Sequence, residues 1–390
     1  MKIAFITRFQ VVETQGGTER ITKSVASILS RQYGVECYSL YFNGLSCKTV
    51  GTFKEEAQIN NLNRTDSIKQ ILLDWEIDIV ISQNEFETAI NLRRALGDKI
   101  KLVFVHHFQP GWEARTLRYH IPFRRLFYGN KKDKITSIKQ ILGAPYLLYK
   151  QKCFPALYRK MYHDVDRLVL LSKGFLNPFS RYASVECGDK KVSIIPNMLS
   201  FDSFANDKDL KNKQKSLLIV SRMDETQKKI SKALHIWKEI MKGEEFTDWE
   251  LDIVGNGPDM EYYKKLVKKN DIPNINFHGS QNPKPFYLKS PLFLMTSESE
   301  GWGLTLTEAQ QSGCVPIAFD TYESLHDIII DGVNGFIIPR DDMKRFVDKL
   351  KFLMTNFSDL TPIMKNAVSS SKRFSADIIG HEWFNMLSSL

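Results

Sequence analysis

This chain of 390 residues has no apolar run long enough to cross a membrane as a helix. The short apolar stretch near its start, residues 3–6, is too brief for the core of a secretory signal peptide. The cysteines are few and dispersed, without the spacing of a metal site: Cys37, Cys47, Cys153, Cys187 and Cys314. An odd, scattered set of this kind predicts reduced thiols in the cytoplasm.

Two further sequence signals are missing, a dinucleotide-binding motif and a metal-binding motif. The first predicted strand, residues 2–9, leads through Gly16 and Gly17 into a predicted helix over residues 18–33, but no G-x-G-x-x-G follows that strand. A dinucleotide cofactor is therefore not supported, and a Gly-Gly pair alone is most often a turn. The chain also has no D-x-D motif in a metal-binding context and no His/Asp cluster with metal spacing. We expect neither a metal nor any other cofactor.

What is present fits a soluble α/β protein with two domains. Apolar residues make up 43% and charged residues 25% of the chain, and its length suits two domains of ordinary size. Predicted strands and helices alternate, which indicates doubly wound parallel sheets. One buried strand, residues 101–105, ends at His106 and His107. A histidine at the carboxyl end of such a strand is a candidate ligand-binding group, although both could simply cap the strand.

The most informative stretch is residues 294–309. An apolar run over residues 292–295 predicts a buried strand, and a glycine turn then leads into a helix that Gly313 would end. The free N–H groups of a helix start favour a phosphate, and Gly301 and Gly303 allow close backbone approach. Glu300 and Glu308, with seven residues between them, suit sugar hydroxyls. Alternatively, residues 305–308 form a capping box in which Glu308 only satisfies the helix start.

A second candidate site follows the predicted strand over residues 216–220. Arg222 and Lys228 come after this strand, and two such cations suit a pyrophosphate, because Arg bonds bidentately and Lys acts as a mobile charge. Lys229 is the alternative to Lys228. The competing interpretation is a solvated basic turn. The preceding polar stretch, residues 202–215, has no periodicity and is predicted to be a linker.

Positive charge is concentrated in residues 114–162, which we name the basic aromatic segment. Its basic residues are Arg115, Arg118, Arg124, Arg125, Lys131, Lys132, Lys134, Lys139, Lys150, Lys152, Arg159 and Lys160. Residues 115–160 contain a single acid, Asp133, and so carry +11; since the whole chain carries +9, the remainder carries −2. Interleaved rings are Tyr119, Phe123, Phe127, Tyr128, Tyr146, Tyr149, Phe154 and Tyr158.

Three interpretations of this segment remain open. It could be a solvated helical face with aromatic packing. It could bind nucleic acid, although no recognised motif accompanies it and we expect no nucleic acid partner. It could attach to an anionic membrane surface, since clustered Lys and Arg with apolar rings suit an interfacial segment. We favour the last, and predict a cytoplasmic protein that is peripheral on the inner face of the cell membrane.

The segment SESEGWGLTLTEAQQSGCVPIAFD, residues 297–320, resembles the E-x(7)-E signature of retaining glycosyltransferases of family 4, which have the GT-B fold. The resemblance implies that Glu300 contacts the hydroxyls of the donor sugar and that Glu308 binds the ribose of the nucleotide. It implies that backbone amides approach the sugar and the pyrophosphate at Gly301, Trp302, Gly303 and Leu304.

The same resemblance assigns roles to other residues. Arg222 and Lys228 would stabilise the departing diphosphate. A histidine would lie near the reacting sugar, and we favour His107 over His106. The remaining implied donor contacts are Gly16, Gly17, Gly279 and Ser280.

The expected architecture is two Rossmann-like doubly wound domains facing a cleft. Residues 1–199, with the basic aromatic segment, would form the acceptor-side domain, and residues 200–374 the nucleotide-sugar domain. A final helix, residues 375–390, would cross back to the first domain.

The implied reaction is transfer, with retention, of a hexose or N-acetylhexosamine from a nucleotide sugar to a hydroxyl group of a glycan or lipid-linked acceptor. We expect a UDP-sugar donor and a role in bacterial surface polysaccharide synthesis, in lipopolysaccharide or capsule. Alternatives are a GDP-mannose-dependent mannosyltransferase, a nucleotide-sugar epimerase or phosphorylase, a non-catalytic binding protein of the same fold, and an RNA-associated protein.

Overall fold

The structure is a computed structural model that describes residues 1–12, 16–44, 51–59, 64–115, 120–128, 131–188 and 190–390. Cys47, Arg118 and Tyr119, which enter the sequence predictions, lie outside these residues. The chain divides into two compact units. The first comprises Met1–Gly111, Lys152–Ser200 and Arg373–Leu390, and the second comprises Trp112–Gln151 and Phe201–Lys372.

Within its described residues, the first unit is built on a seven-stranded sheet in which every pair is parallel. Its strands are β1 Lys2–Phe9, β2 Glu36–Asn43, β3 Glu56–Gln58, β4 Ile79–Gln83, β5 Lys101–His106, β6 Arg167–Leu170 and β7 Val192–Ile194. The spatial order is β3-β2-β1-β4-β5-β6-β7. The central strands are buried on both faces, as their continuous apolar runs predict.

The second unit contains a six-stranded parallel sheet among the residues described. Its strands are β8 Ser216–Val220, β9 Glu250–Val254, β10 Ile275–Gly279, β11 Leu292–Met295, β12 Val315–Phe319 and β13 Phe336–Ile338. The order is β10-β9-β8-β11-β12-β13. Both orders reverse direction beside the first strand of the unit, and ligands bind at such switch points, outside the carboxyl ends of the strands.

Helices connect the strands, as parallel pairing requires. They are α1 Gly17–Tyr33, α2 Arg64–Asp74, α3 Phe86–Leu96, α4 Trp112–Arg115, α5 His120–Tyr128, α6 Lys131–Leu142, α7 Ala144–Asp164, α8 Leu176–Ala183, α9 Asp207–Lys211, α10 Ile230–Ile240, α11 Met260–Lys269, α12 Lys284–Lys289, α13 Leu304–Gln311, α14 Leu325–Ile328, α15 Met343–Thr355, α16 Thr361–Ser371 and α17 Ala376–Ser388. Within the described residues, no helix combines the length and apolarity needed to cross a membrane.

The last helix packs on the first helix of the chain, within the first unit. Tyr33 stacks on Phe384 with ring centroids 4.2 Å apart, and Gln32 donates to Asp377 at 2.6 Å. Gly380 permits this approach, because a Cβ there would lie 2.7 Å from a side-chain carbon of Ile28. The expectation that the terminal helix returns to the first domain is confirmed.

The prediction of a linker over residues 202–215 is wrong. This stretch contains the short helix α9, whose start is fixed by a capping box between Asn206 and Asp209. Leu210 and Lys213 are buried, and the Lys213 ammonium donates to three backbone carbonyls, those of Tyr287, Ser290 and Ser312. A stretch that is polar in sequence is thus bound into the second unit, because a buried ammonium finds partners at two helix ends.

The basic aromatic segment differs from the sequence expectation in its grouping. Residues 112–151 cluster with the second unit, whereas the sequence prediction assigns residues 114–162 to the first domain. The contacts that produce this grouping include the ion pair of Arg124 with Asp259 and the ring contact of Tyr128 with Tyr262. These partners lie more than one hundred positions away, so local sequence gives no signal of them.

Candidate active site

Most of the predicted site residues lie at the switch point of the second sheet. Arg222 follows β8, Glu300 follows β11, and these two strands are paired through Leu217 and Leu218. The loop after β8 therefore meets the loop after β11 at one edge of the sheet. Two segments that are far apart in sequence are brought together there by parallel pairing.

The centre of this edge is an ion pair. The Lys228 ammonium donates to Oε1 of Glu300 at 2.6 Å, and both side chains are largely buried. Thr296 ties the two loops together, since its hydroxyl lies 3.2 Å from the carbonyl oxygen of Lys228 and 3.0 Å from that of Lys229. Lys229 starts α10 in the left-handed conformation. The structure thus places Lys228 next to the glutamate.

Arg222 lies beside this pair and keeps much of its guanidinium accessible. Its side chain is 60% exposed, with Nη2 at 3.3 Å from Asp224 and 3.2 Å from Oε1 of Gln227. Gln227 also donates to the backbone oxygen of Ser299 at 3.0 Å. One amide side chain therefore links the arginine to the loop that carries Glu300.

The glycine turn ends at Gly303, which has φ 100° and immediately precedes α13. No side chain caps this helix start, so the alternative of a capping box over residues 305–308 is wrong. Glu308 instead accepts a hydrogen bond from the Tyr287 hydroxyl at 3.0 Å and is 1% exposed. The N–H groups of Leu306 and Thr307 donate to the carbonyl oxygen of Gly303, and no side chain caps the start of the helix, where N–H groups such as those of Leu304 and Thr305 favour an anion.

Two glycines let the neighbouring loop support the turn of Arg222. A Cβ at Gly255 would lie 1.9 Å from the Ser221 oxygen, and one at Gly257 would lie 2.6 Å from the Met223 oxygen. The backbone N–H of Met223 donates to the Asn256 oxygen at 3.0 Å, so the two loops are bonded as well as packed. These glycines have a structural role, as the sequence suggested.

Two of the implied donor contacts, Gly279 and Ser280, lie at a cavity of about 500 Å³ in the second unit. Gly279 lines it and has φ 70°, and its carbonyl oxygen accepts a hydrogen bond from the N–H of Gly255 at 2.7 Å. The adjacent Ser280 is exposed. His278 also lines the cavity, and its Nε2 lies 2.7 Å from the buried carboxylate of Asp252.

In the first unit, His106 is the last residue of β5 and His107 follows it; both are buried. Nε2 of His107 lies 2.5 Å from Oε1 of Gln83, at the end of β4. Burial and the neighbouring His106 lower the pKa of His107 to about 3, so its ring is neutral at physiological pH. Nε2 of His106 instead lies 2.7 Å from the Tyr158 hydroxyl, within an aromatic cluster.

The predicted glycines of the first unit lie at the start of α1, after β1. Gly16 precedes the helix in an extended conformation, and both Gly16 and Gly17 are exposed. A Cβ at Gly16 would lie 3.3 Å from a carboxyl oxygen of Glu19. Burial raises the pKa of the Glu19 carboxyl above its usual value.

The chain is similar in sequence to known proteins. Residues 200–369 match the sequence model of the family described as Glycosyl transferases group 1. An uncharacterized glycosyltransferase of Haemophilus influenzae is 27% identical over 96% of this chain and 97% of its own length. The amylovoran biosynthesis glycosyltransferase AmsD of Erwinia amylovora is 26% identical over 60% of this chain and 66% of its own.

Solved structures share the fold. HepE of Anabaena in complex with UDP-glucose superposes with a TM-score of 0.72 at 15% identity, and 100% of each chain is covered. The lipopolysaccharide outer core galactosyltransferase WaaB gives 0.69 at 18% identity, with 100% of this chain and 99% of that one covered. These findings support a GT-B glycosyltransferase of group 1. The predicted GT-B fold is confirmed.

The group 1 match covers the second unit's site and does not reach His107 or Gly16. Within the matched region, Arg222, Lys228 and Glu300 come together. Glu308 lies between one and two helical turns into α13, which begins directly after Gly303. Chemically, this arrangement offers two cations and a helix start to an anion, and two carboxylates to hydroxyl groups.

The structure adds residues that the sequence reasoning missed. Asp224 and Gln227 contact Arg222, Tyr287 contacts Glu308, and Gln83 contacts His107. Asp224 and Gln227 could have been found, since they lie between the two predicted cations. Tyr287 and Gln83 come from other elements and leave no local signal. Across the described part of the chain, no group of three or more His, Cys, Asp or Glu side chains could hold a metal ion.

Proposed function

We propose that this protein is a retaining, metal-independent glycosyltransferase that moves a hexose or N-acetylhexosamine from a UDP-sugar to a hydroxyl group of a glycan or lipid-linked acceptor. The observation that carries this proposal is the Lys228–Glu300 pair beside Arg222 at the switch point of the second sheet. A diphosphate bound there would meet both cations, and the sugar attached to it would meet the glutamate.

In the proposed reaction, the bond between the anomeric carbon and the diphosphate oxygen breaks. The acceptor oxygen forms a new bond on the same face of the sugar, and its proton passes to the departing phosphate. Negative charge grows on the diphosphate during this step. Arg222, Lys228 and the N–H groups of Leu304 and Thr305 at the start of α13 stabilise that charge, which lowers the barrier by fixed electrostatics.

The choice of donor rests on relatives of the same fold. HepE has been solved with UDP-glucose, and the pneumococcal O-GlcNAc transferase GtfA with UDP and GlcNAc. A GDP-mannose donor is the second choice. The acceptor proposal is supported by the roles of two similar proteins, AmsD in amylovoran biosynthesis and WaaB in the lipopolysaccharide outer core. We therefore propose a growing surface polysaccharide, of lipopolysaccharide or capsule type, as the acceptor.

A thermal-shift screen against UDP, GDP and their sugars tests the donor, because a ligand that binds only the folded state raises its melting temperature. We expect the largest shift with a UDP-sugar. Transfer products from that donor would then be examined by NMR, and an α-linked product from an α-linked donor would establish retention. A shift without turnover indicates a binding protein, conversion of the donor sugar alone indicates an epimerase, and an inverted product contradicts the proposal.

We further propose that the basic aromatic segment binds an anionic lipid surface from the cytoplasmic side. Its large apolar side chains are exposed in an unusual number: Phe123, Phe127, Tyr128, Ile135, Ile138, Leu142, Tyr146, Leu148 and Tyr149. Phe127 is 75% and Leu142 77% exposed, in a segment of charge +11. Apolar side chains can enter the headgroup region while each nearby Lys or Arg adds about 1 kcal/mol of attraction.

Flotation with liposomes tests this surface. We expect binding to liposomes that contain anionic lipid, weak binding to neutral ones, and loss of binding in the Phe127→Ser/Leu142→Ser variant. Phe352→Ser is the matched control, since Phe352 is 60% exposed but lies on α15. Equal flotation with both lipid mixtures, or binding to RNA with a steep salt dependence instead, would contradict the proposal.

A further inference from the structure

The helix α5, His120–Tyr128, has two different faces. Arg124 and Tyr128, four residues apart, face the rest of the second unit, to which α5 belongs: Arg124 pairs with Asp259, and Tyr128 contacts Tyr262. Phe123 and Phe127, also four apart, are 52% and 75% exposed. One short helix of the second unit thus carries part of the proposed lipid-binding surface on one face and, on the other, contacts to the rest of that unit.

The contacts on the inner face of α5 lie next to the turn that carries Arg222. Asp259 is 2% exposed, and its carboxylate receives Arg124 Nε at 3.2 Å and Nη2 at 3.0 Å. The same carboxylate accepts from the backbone N–H of Glu225 at 2.8 Å. Glu225 lies between Arg222 and Lys228 in sequence, so the helix is bonded to the loop that carries both predicted cations.

Asp224 contacts two arginines, Arg222 and Arg125. Its Oδ2 atom lies 3.3 Å from Nη2 of Arg222 and 3.5 Å from Nη2 of Arg125, which comes from α5. Its Oδ1 atom accepts from the backbone N–H of Thr226 at 2.9 Å, which fixes the carboxylate. A single carboxylate oxygen is therefore shared by two guanidinium groups, and both Asp224 and Arg125 are largely buried while Arg222 is 60% exposed.

We propose that Asp224 positions the guanidinium of Arg222 for the diphosphate of the donor, and that Arg125 sets how strongly Asp224 holds it. The proposal rests on the proposed function and names a regulator of that same site. With Arg125 present, the charge of Asp224 is divided and Arg222 stays available to the diphosphate. Without Arg125, the whole carboxylate charge acts on Arg222 and also repels the incoming anion. Docking of α5 and binding of the donor are then coupled in both directions.

The test is UDP affinity, measured by calorimetry on the full chain, in a cycle of variants. We expect Arg125→Gln to weaken UDP binding about tenfold, since a partly buried charge loses its partner. The conservative Arg125→Lys should stay within about threefold of wild type, because the charge remains. The double variant Arg125→Gln/Asp224→Asn should bind UDP like Asp224→Asn alone, because no carboxylate is left to compete.

Kinetic measurements distinguish a positioning role of Asp224 from an effect of its substitution on folding. Asp224→Asn should bind UDP at least as well as wild type but transfer sugar about tenfold more slowly, since Arg222 is no longer held in orientation. Lys344→Gln, an exposed lysine of α15, is the control and should change neither quantity.

Unchanged UDP affinity in Arg125→Gln, or a double variant as weak as Arg125→Gln, would overturn this inference while leaving the proposed function intact. A wild-type protein that binds neither UDP nor GDP would overturn the proposed function, and this inference with it.

Discussion

The ammonium of Lys228 lies 2.6 Å from a carboxyl oxygen of Glu300, although the two residues are 72 positions apart in the chain. A short, largely buried pair of this kind holds the lysine at a defined place instead of leaving it mobile in solvent. The cation that the sequence assigned to the diphosphate and the carboxylate that it assigned to the sugar are therefore neighbours.

This pair gives the first prediction. Lys228→Gln should lower kcat for sugar transfer by about 10²–10³-fold, the usual loss when one fixed group that stabilises transition-state charge is removed. Lys229→Gln is the matched control, because Lys229 is the next residue, a half-buried lysine at the start of α10. Steady-state kinetics with a saturating UDP-sugar measures both. A larger loss in Lys229→Gln than in Lys228→Gln would show that the sequence register was wrong.

The second prediction concerns Glu308, which is buried and accepts from Tyr287. If Glu308 binds the ribose, wild type should prefer a UDP-sugar over its 2′-deoxy analogue by about 10–100-fold in kcat/KM, the value of a hydrogen bond to a buried charge. Glu308→Ala should remove this preference. Tyr287→Phe keeps the carboxylate and should retain it, and an undiminished preference in Glu308→Ala would place the ribose elsewhere.

The third prediction concerns Gly257. An alanine there would put its Cβ 2.6 Å from the oxygen and 2.8 Å from the nitrogen of Met223, in the turn that carries Arg222. We expect Gly257→Ala to lower the free energy of unfolding by about 1–3 kcal/mol, as overpacking does, and to weaken UDP binding as well. Gly243→Ala, which meets no atom within 4 Å, should change neither. Urea unfolding and calorimetry measure the two effects; equal behaviour of both variants would contradict this account.

The fourth prediction is a pH dependence. Because the pKa of His107 is lowered to about 3 in the folded protein, the unfolded chain takes up a proton that the folded chain does not. The stability linked to this group is fully present above pH 6.5 and is lost as pH falls from 6.5 toward 3. Between pH 6 and 4, wild type should therefore lose up to about 1.4 kcal/mol per pH unit more than His107→Gln.

Urea unfolding at several pH values measures this slope. His235→Gln, at an exposed position, is the control and should keep the wild-type slope. A slope in His107→Gln as steep as that of wild type would show that His107 takes up its proton without unfolding.

Much of the fold was predictable because its signals are local. Continuous apolar runs predicted β8 and β11 with the bounds that the structure has, and Gly313, with φ 64°, follows the end of α13 as its position suggested. The spacing of Glu300 and Glu308 on either side of a helix start likewise depends only on neighbouring residues. Chain geometry over a few positions fixes such features, whatever the rest of the molecule does.

Other features depend on partners that are distant in sequence. The polar stretch before β8 packs into the second unit because the buried ammonium of Lys213 donates hydrogen bonds to three carbonyl groups of other elements. The hydrogen bond between Tyr287 and Glu308 could not be predicted either, since the sequence around one residue does not indicate the other.

The sequence by itself determined the parallel α/β architecture, the E-x(7)-E pattern and the concentration of positive charge in one segment, because periodicity, spacing and composition are properties of the chain alone. Only the tertiary structure decided that Lys228 meets Glu300, that Asp224 lies between Arg222 and Arg125, and that the capping box does not form. Parallel strand pairing and helix docking set these contacts, and both join segments whose separation along the chain carries no information about their distance in space.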